Sequence, residues 1–491
     1  MWTPDLDGRN QTRYLAIVEA LADSIAAGEL RPGERLPTHR ELAWQLRVNV
    51  STATQAYREA ARRHLVSGEV GRGTYVLSGS REAALFALKS PDMARDGGGA
   101  VQAIDLSTNV PALDPDNRDL EDTLAGMARE GVLGSAALGY HQPVLLQRAR
   151  LAGVFWLARR GLHLRPTDVV PCAGAQAALL AVLLALCAPG DGVLVEELTF
   201  PGMKAAARQL RLPLHGVGLD EEGMLPDALD RAARATGARV AVIVPTLQNP
   251  TGAVMGEARR QQVAEVARRH GLWVVEDDVY GGLTDRPPLA TLLPGRGIVV
   301  TSLSKTVAAG LRFGLIAGDC EPVRSLATEV HATAWPLAPL MADVACRWIE
   351  DGTAFRRVGW QRDEVAARYH QTRHALAGAG FRFGVPGPHV WMPFASAQAD
   401  DAAARCRAGG VEVVASELFA VTREAPGGVR VSLTAARDQA ELAQALGRLQ
   451  AASIDLANAI TGREGQPVPL RQTSVALVGF RGGEAGTGTR G

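Results

Sequence analysis

Lys305 closes the run Ser302-Leu303-Ser304-Lys305, directly behind the apolar stretch Ile298 to Thr301. An amine at the end of a strand can condense with an aldehyde, so this residue in this place points to an aldehyde cofactor. A little further on, in Gly310-Leu311-Arg312-Phe313-Gly314, Arg312 can turn back and grip a phosphate with two parallel N–H groups. Ser302 and Ser304 add hydroxyl donors. Glu276-Asp277-Asp278-Val279-Tyr280 ends another apolar run, Leu272 to Val275. Such an acidic cluster suits a metal site, a helix cap or the counter-ion of a buried cation. Asp277 suits the last, as a carboxylate that keeps a ring nitrogen protonated, and Tyr280 offers a hydroxyl to a ring oxygen. Asn249, in Gln248-Asn249-Pro250-Thr251-Gly252, offers an amide to the same oxygen. Gly174 and Ala175, in Ala173-Gly174-Ala175-Gln176, precede an apolar helical stretch, where backbone N–H groups can hold a phosphate. Phe200 is placed to stack on a ring. Taken singly, each motif is ordinary turn chemistry, and a lone lysine is more often solvated. Their joint order is what argues for a site.

These residues need strands and helices to position them. Val193 to Val195, Val240 to Val244, Leu272 to Val275, Ile298 to Thr301 and Phe313 to Ala317 are strand-length apolar runs, as strands buried on both faces read. Helical stretches such as Glu257 to His270 lie between some of them, which predicts a largely parallel sheet covered by helices. Pro339 to about Leu376 reads as helical, and the remainder as a smaller α+β unit. The expected division is residues 1–78, a linker over 79–103, a large unit over 104–456 and a disordered tail over 457–491. Within the large unit, a larger subdomain covers about 135–335 and a smaller one about 336–456. Formal net charge is zero, so any nucleic-acid surface must be local. The longest apolar segment, Leu179 to Ala188, is about half the roughly 20 residues a membrane span needs. With no secretory signal at the start, a soluble cytoplasmic chain with no membrane contact is expected. The five cysteines are scattered without a C-x-x-C pair, so no metal site is expected and reduced thiols are.

Thr38-His39-Arg40-Glu41 has the form of a capping box and opens a helix from His39 to Leu46. After a turn, Ser51 or Asn49 can cap a second helix reaching about Arg63. Its apolar face is Ala53, Ala56, Tyr57 and Ala60. Ser51, Thr52, Thr54, Gln55 and Arg58 are left outward near its start, as major-groove readout requires. The glycines of Val70-Gly71-Arg72-Gly73-Thr74-Tyr75-Val76 permit a tight hairpin with Arg72 at its tip. Charge does not separate DNA binding from a generic helical domain here, because residues 1–78 hold ten Arg and nine Asp or Glu. A resemblance does. Gly28 to Ala43, Ala56-Tyr57-Arg58 and Gly71 to Val76 resemble the winged helix of the GntR family, which implies that Arg35, Arg40, Thr52 and Arg72 lie at DNA.

From about Ile104 to Ala452 the ordered motifs resemble fold-type I aminotransferases, and their fusion behind a winged helix resembles the MocR subfamily of regulators. The fold class implied is an N-terminal α+β winged helix-turn-helix, then an α/β pyridoxal-phosphate-dependent transferase fold with a smaller C-terminal α+β subdomain. By the same resemblance Lys305 bonds pyridoxal 5′-phosphate and Asp277 partners its ring nitrogen. Asn249 and Tyr280 partner its O3′. Ser302, Arg312 and the backbone at Gly174-Ala175 hold its phosphate, and Tyr140 reaches the neighbouring subunit's phosphate. Arg430, in Val429-Arg430-Val431-Ser432, takes the carboxylate of an amino acid. A head-to-tail homodimer is implied, each winged helix resting on the partner subunit. Three residues depart from the pattern: Phe200 where tyrosine is common, Val144 where a glycine often follows the Pro, and Cys172 where threonine or serine is common. The expected function is a transcription regulator that reads double-stranded operator DNA. It senses an amino acid, an amine or pyridoxal phosphate itself through aldimine chemistry at Lys305. The alternative is a working aminotransferase with a secondary DNA-binding domain.

Overall fold

The structure, a computed structural model, describes residues 2–6, 9, 11–26, 29–30, 34–63, 65–69, 73–76, 103–134, 143–333, 337–395, 398–422 and 424–461. Tyr140, Arg72, all but the last residue of the expected linker and most of the expected tail lie outside them.

The N-terminal unit consists of α1 (Arg13–Ala26), α2 (His39–Gln45), α3 (Val50–Arg62) and an antiparallel pair, β1 (Val66–Glu69) and β2 (Gly73–Val76). Its core gathers Ile17, Leu21, Leu36, Leu42, Ala53, Ala56, Tyr57 and Val76. The box at Thr38 forms as the spacing predicts. The Glu41 N–H donates to Thr38 Oγ1 at 3.3 Å, and the Thr38 N–H to Glu41 Oε2 at 2.7 Å. Of the two candidates for the next cap, Asn49 holds the N-cap position of α3, without a side-chain hydrogen bond, and Ser51 falls inside the first turn.

The larger unit is organised by a seven-stranded sheet. In chain order, after the short strand β3 (Ile104–Asp105), its strands are β4 (Val169–Cys172), β5 (Val193–Glu196), β6 (Leu214–Val217), β9 (Val240–Ile243), β10 (Trp273–Asp277), β11 (Gly297–Ser302) and β12 (Gly314–Ala317). Between β6 and β9 lies a small hairpin of β7 (Leu219–Asp220) and β8 (Gly223–Met224). The spatial order is β4-β12-β11-β10-β9-β5-β6. All neighbours pair in parallel except β12, which runs antiparallel to both β11 and β4. The run at Phe313 to Ala317 therefore belongs to a reversal. A parallel return needs a crossover of about a dozen residues or more, usually a helix, and the stretch from Leu303 to Phe313 holds only two short 3₁₀ turns. That reversal places Lys305 and Arg312 in one loop at the carboxyl end of the sheet.

The smaller unit packs the antiparallel strands β13 (His389–Phe394), β15 (Val414–Ala415) and β16 (Gly427–Ser432) against helices Thr353–Ala375, Ala399–Ala408 and Gln439–Thr461. The stretch expected as helical from Pro339 is so, as two helices, Pro339–Glu350 and Thr353–Ala375, broken where Gly352 adopts φ 88°. The final helix continues to Thr461, so the first residues of the expected tail are helical. One strand precedes both expected subdomains. The remaining strand of the unit, β14 (Val411–Glu412), pairs in parallel with β3, which brings residues 104–105 into the smaller unit.

Candidate cofactor site and DNA-facing unit

Strand ends of the large sheet and one loop from the start of the domain converge on Lys305. Its Nζ donates to the backbone carbonyl of Asn109 at 2.5 Å. Burial, and then the charge of Arg430, push its pKa down to about 8, so about a tenth of it is the neutral nucleophile at pH 7, far more than for an exposed lysine. Asp277 ends β10, buried, and accepts the Val279 N–H at 3.2 Å. Burial pushes its carboxyl up to about 7, and nearby Asp278 adds to the rise. A carboxylate so placed gains from a cationic ring nitrogen. Tyr280 is buried, and its hydroxyl is held up at about 12, chiefly by burial, so it stays protonated. Asn249 precedes a cis peptide to Pro250, and its Oδ1 accepts from Arg430 Nη1 at 2.8 Å. Arg430 also donates to the carbonyl of Ser107 and lies 5.0 Å over the Phe419 ring. Burial lowers its pKa to about 10, and its Nε is buried with no hydrogen-bond partner.

A phosphate would find a cradle beside these groups. Helix Ala175–Leu186 begins at Gly174, whose φ of 91° and lack of a side-chain cap leave the first-turn N–H groups available. A Cβ at Gly174 would lie 2.5 Å from Arg312 Nη2, so only glycine lets the guanidinium close on this backbone. Arg312 donates to the Ala173 carbonyl at 3.3 Å. Ser302 Oγ accepts the Ser304 N–H at 3.4 Å, while Ser304 Oγ is buried without a hydrogen-bond partner. The unsatisfied hydroxyl, the open helix start and the guanidinium fit a phosphorylated aldehyde cofactor. Phe200 is half-buried at the N-cap of helix Pro201–Leu210 and packs partly on the core of the sheet. Cys172 is buried and uncharged, its pKa pushed up to about 12 by burial.

Two site residues escaped the sequence reading, Asn109 and His389. Asn109 Nδ2 lies 2.9 Å from the Tyr280 hydroxyl and 2.9 Å from His389 Nδ1. The two residues are 280 positions apart. A lone histidine in an apolar strand carries no pattern that marks it, and Asn109 lies in a loop without a motif.

In the N-terminal unit, Arg35, Arg40, Ser51, Gln55 and Arg58 are exposed, and Thr52 and Thr54 half-buried. Thr54 Oγ1 lies 3.1 Å from His39 Nδ1, tying α2 to α3. The far end of α3 docks on the smaller unit of the same chain through a closed ring of charge. Glu59 pairs with Arg62 at 2.7 Å, Arg62 with Glu412 at 2.6 Å, Glu412 with Arg407 at 2.9 Å, and Arg407 with Glu59 at 3.1 Å. Arg63 adds contacts to Glu59 at 2.8 Å and Glu417 at 3.4 Å. Burial alone would raise the Glu59 pKa, but Arg62, then Arg63 and Arg407, outweigh it and hold the carboxyl at about 2. Where the resemblance implies docking on the partner subunit, this single chain presents the docking surface on its own smaller unit.

The family pattern described as aminotransferase class I and II matches residues 101–449. That is well over half of the chain. The chain belongs to this family. Ahead of it, the pattern of the gntR family of bacterial regulatory proteins matches residues 13–76, so the two halves stand in the MocR order. An uncharacterized HTH-type transcriptional regulator of Bacillus subtilis, YdeF, is 28% identical over 91% of this chain and 95% of its own length. The vitamin B6 salvage pathway transcriptional repressor PtsJ of Salmonella typhimurium is 28% identical over 90% of this chain and all of its own length. Among solved structures, an archaeal alanine:glyoxylate aminotransferase superposes with a TM-score of 0.66 at 22% identity, covering 77% of this chain and 96% of that one. Pyridoxal phosphate is the usual cofactor of the family. Among the described residues no helix is long and apolar enough to cross a membrane.

Proposed function

We propose that the chain is a cytoplasmic transcription regulator whose aminotransferase-like domain binds pyridoxal 5′-phosphate at Lys305 and senses an amino acid, an amine or the cofactor itself. Division at about residues 78 and 103 separates reader, linker and sensor. When bound, the cofactor supplies an electron sink and a covalent link that amines can exchange. The chain's own groups do the rest. The Lys305 amine is the nucleophile, Asp277 holds a proton on the ring nitrogen, and Arg312, Ser302, Ser304 and the N–H groups after Gly174 take the phosphate. Arg430, steadied by Asn249, takes a ligand carboxylate. Tyr140 stays the proposed contact to a neighbouring phosphate. Arg35, Arg40, Ser51, Thr52, Thr54, Gln55, Arg58 and Arg72 face the duplex.

One observation carries the regulator reading over the enzyme reading. The loop after β3 gives carbonyls to Lys305 and Arg430, at Asn109 and Ser107. β3 itself pairs with β14, where Glu412 holds Arg62 of α3. A change in what Lys305 and Arg430 bind therefore bears on the strand that anchors the DNA-reading helix. Such a link can shift the reader only if a ligand binds two arrangements with different affinity. A homodimer is supported by an apolar stripe on helix Pro143–Ala158, where Val144, Leu151 and Phe155 are 77%, 50% and 46% exposed. The test is direct. Purified protein given pyridoxal phosphate should show a visible absorbance band that is absent in Lys305→Ala, and should protect a site in its own upstream DNA whose occupancy changes with cofactor or amine. Turnover of amino acids and 2-oxo acids at ordinary enzyme rates, with no protected site, would establish the aminotransferase instead.

A further inference from the structure

We infer that Asn109 and His389 form a one-way hydrogen-bond relay that fixes the Tyr280 hydroxyl as a donor into the cofactor pocket. The polarity starts at the carbonyl of Gln248, which can only accept. His389 Nε2 lies 3.0 Å from it and must carry the proton. Gln248 itself is pinned: its Nε2 donates to the Leu198 carbonyl at 2.7 Å, and its Oε1 accepts from Thr251 Oγ1 at 2.8 Å. His389 is buried, and burial followed by the nearby charge of Arg430 lowers its pKa to about 3. It is therefore neutral, with a lone pair on Nδ1. Asn109 has to turn its amide NH₂ toward that lone pair, at 2.9 Å. The second amide hydrogen then reaches the Tyr280 oxygen, also at 2.9 Å. Both amide hydrogens are spent, and Asn109 Oδ1 is left buried without a hydrogen-bond partner. The phenol accepts from Asn109, and among the described residues no protein acceptor takes its own hydrogen. That hydrogen is left for the pocket.

The tautomer of His389 is thus a positioning device set by a backbone carbonyl, with Lys305, Asp277 and Arg430 as the charged groups that face it or Tyr280. Its consequence for the cofactor rests on the proposed function: Tyr280 stabilises a negative ring oxygen and lowers the pH at which the visible band changes. Two measurements separate the relay from that reading. Nitrogen-15 NMR of the histidine-labelled full chain, without cofactor, should show His389 as the neutral Nε2–H tautomer from pH 8 down to pH 5. An Nδ1–H tautomer, or protonation inside that range, overturns the relay even if pyridoxal phosphate binds. With pyridoxal phosphate loaded, His389→Leu and Asn109→Leu should raise the band's pH midpoint by about one unit, a tenfold change in the proton equilibrium. His389→Gln should restore it, because glutamine can accept from Asn109 and donate to Gln248. In a Tyr280→Phe background His389→Leu should add nothing. A midpoint that moves equally with and without the Tyr280 hydroxyl overturns the proposal.

Discussion

Glu59 and Asp277 are both carboxylates with almost no exposure, yet the first is held down at about 2 and the second pushed up to about 7. The difference lies in their company. Glu59 meets the cations Arg62, Arg63 and Arg407 at salt-bridge distance. Asp277 meets another carboxylate, Asp278, and the attraction of Lys305 does not offset burial. The first cluster is a finished joint between two units of the chain. The second is left incomplete, and the unpartnered Ser304 Oγ, Asn109 Oδ1 and Arg430 Nε around it tell the same story. A buried polar group without a partner costs free energy that a ligand can return.

Breaking the joint gives the largest effect. Glu59→Ala takes one carboxylate from three arginines and leaves Arg62 and Arg407 with Glu412 and Arg63 with Glu417; removal of one partner from a largely buried pair costs about 3 kcal/mol. The expected result is a lower unfolding midpoint and protease cleavage between residues 78 and 103, while the cofactor band is unchanged. The acid limb has a defined sign. With its folded pKa depressed, Glu59 contributes stability that is present above the ordinary carboxylate value of 4.5 and is lost as pH falls toward about 2. Glu59→Gln should flatten that loss in thermal melts.

The opposite substitution sharpens the contrast. In protein free of cofactor, Asp277 has a raised pKa, so its contribution is present below 3.8 and lost as pH rises through about 7. Asp277→Asn should therefore raise the melting temperature of the cofactor-free chain at pH 8 relative to wild type. It should also weaken retention of pyridoxal phosphate by roughly thirtyfold, about 2 kcal/mol for a charge-assisted bond lost. A variant that gains stability and loses ligand marks a residue kept for binding. A smaller effect follows from Lys305. Its neutral form grows as pH rises through about 8, so the rate at which added pyridoxal phosphate develops colour should climb severalfold between pH 7 and pH 9.

How much of this the residues announce depends on whether a contact is local. Five strands of the large sheet stand out as apolar runs because both their faces are buried. The two that do not, β4 and β6, are the edges, where Pro171 and the mixed sequence Leu214-His215-Gly216-Val217 blur the pattern. Lys305, Arg312, Asp277 and Asn249 sit at strand ends that any reading of the strands locates. Asn109 and His389 meet only through the tertiary fold. The joint at Glu59 was hidden for another reason. Arginines and glutamates three and four residues apart on a helix look like a solvated face, and nothing local says that Arg407 and Glu412 wait across the gap.

Arg40 tests whether reader and sensor are separable. It is exposed on α2, on the unit that carries no part of the cofactor pocket. Arg40→Ala should remove one phosphate contact, weaken DNA binding by about 1 kcal/mol and lower the slope of log affinity against log salt by about one. The band at Lys305 should not move, and the loss should be the same with and without pyridoxal phosphate. Glu412→Gln should behave differently. It touches no DNA, yet it loosens the strand that ties α3 to the loop at Asn109, so it should reduce the difference in DNA affinity between the cofactor-bound and cofactor-free protein. If Arg40→Ala changes that difference as much as Glu412→Gln does, the two regions do not communicate through the joint, and the charged ring is structural alone.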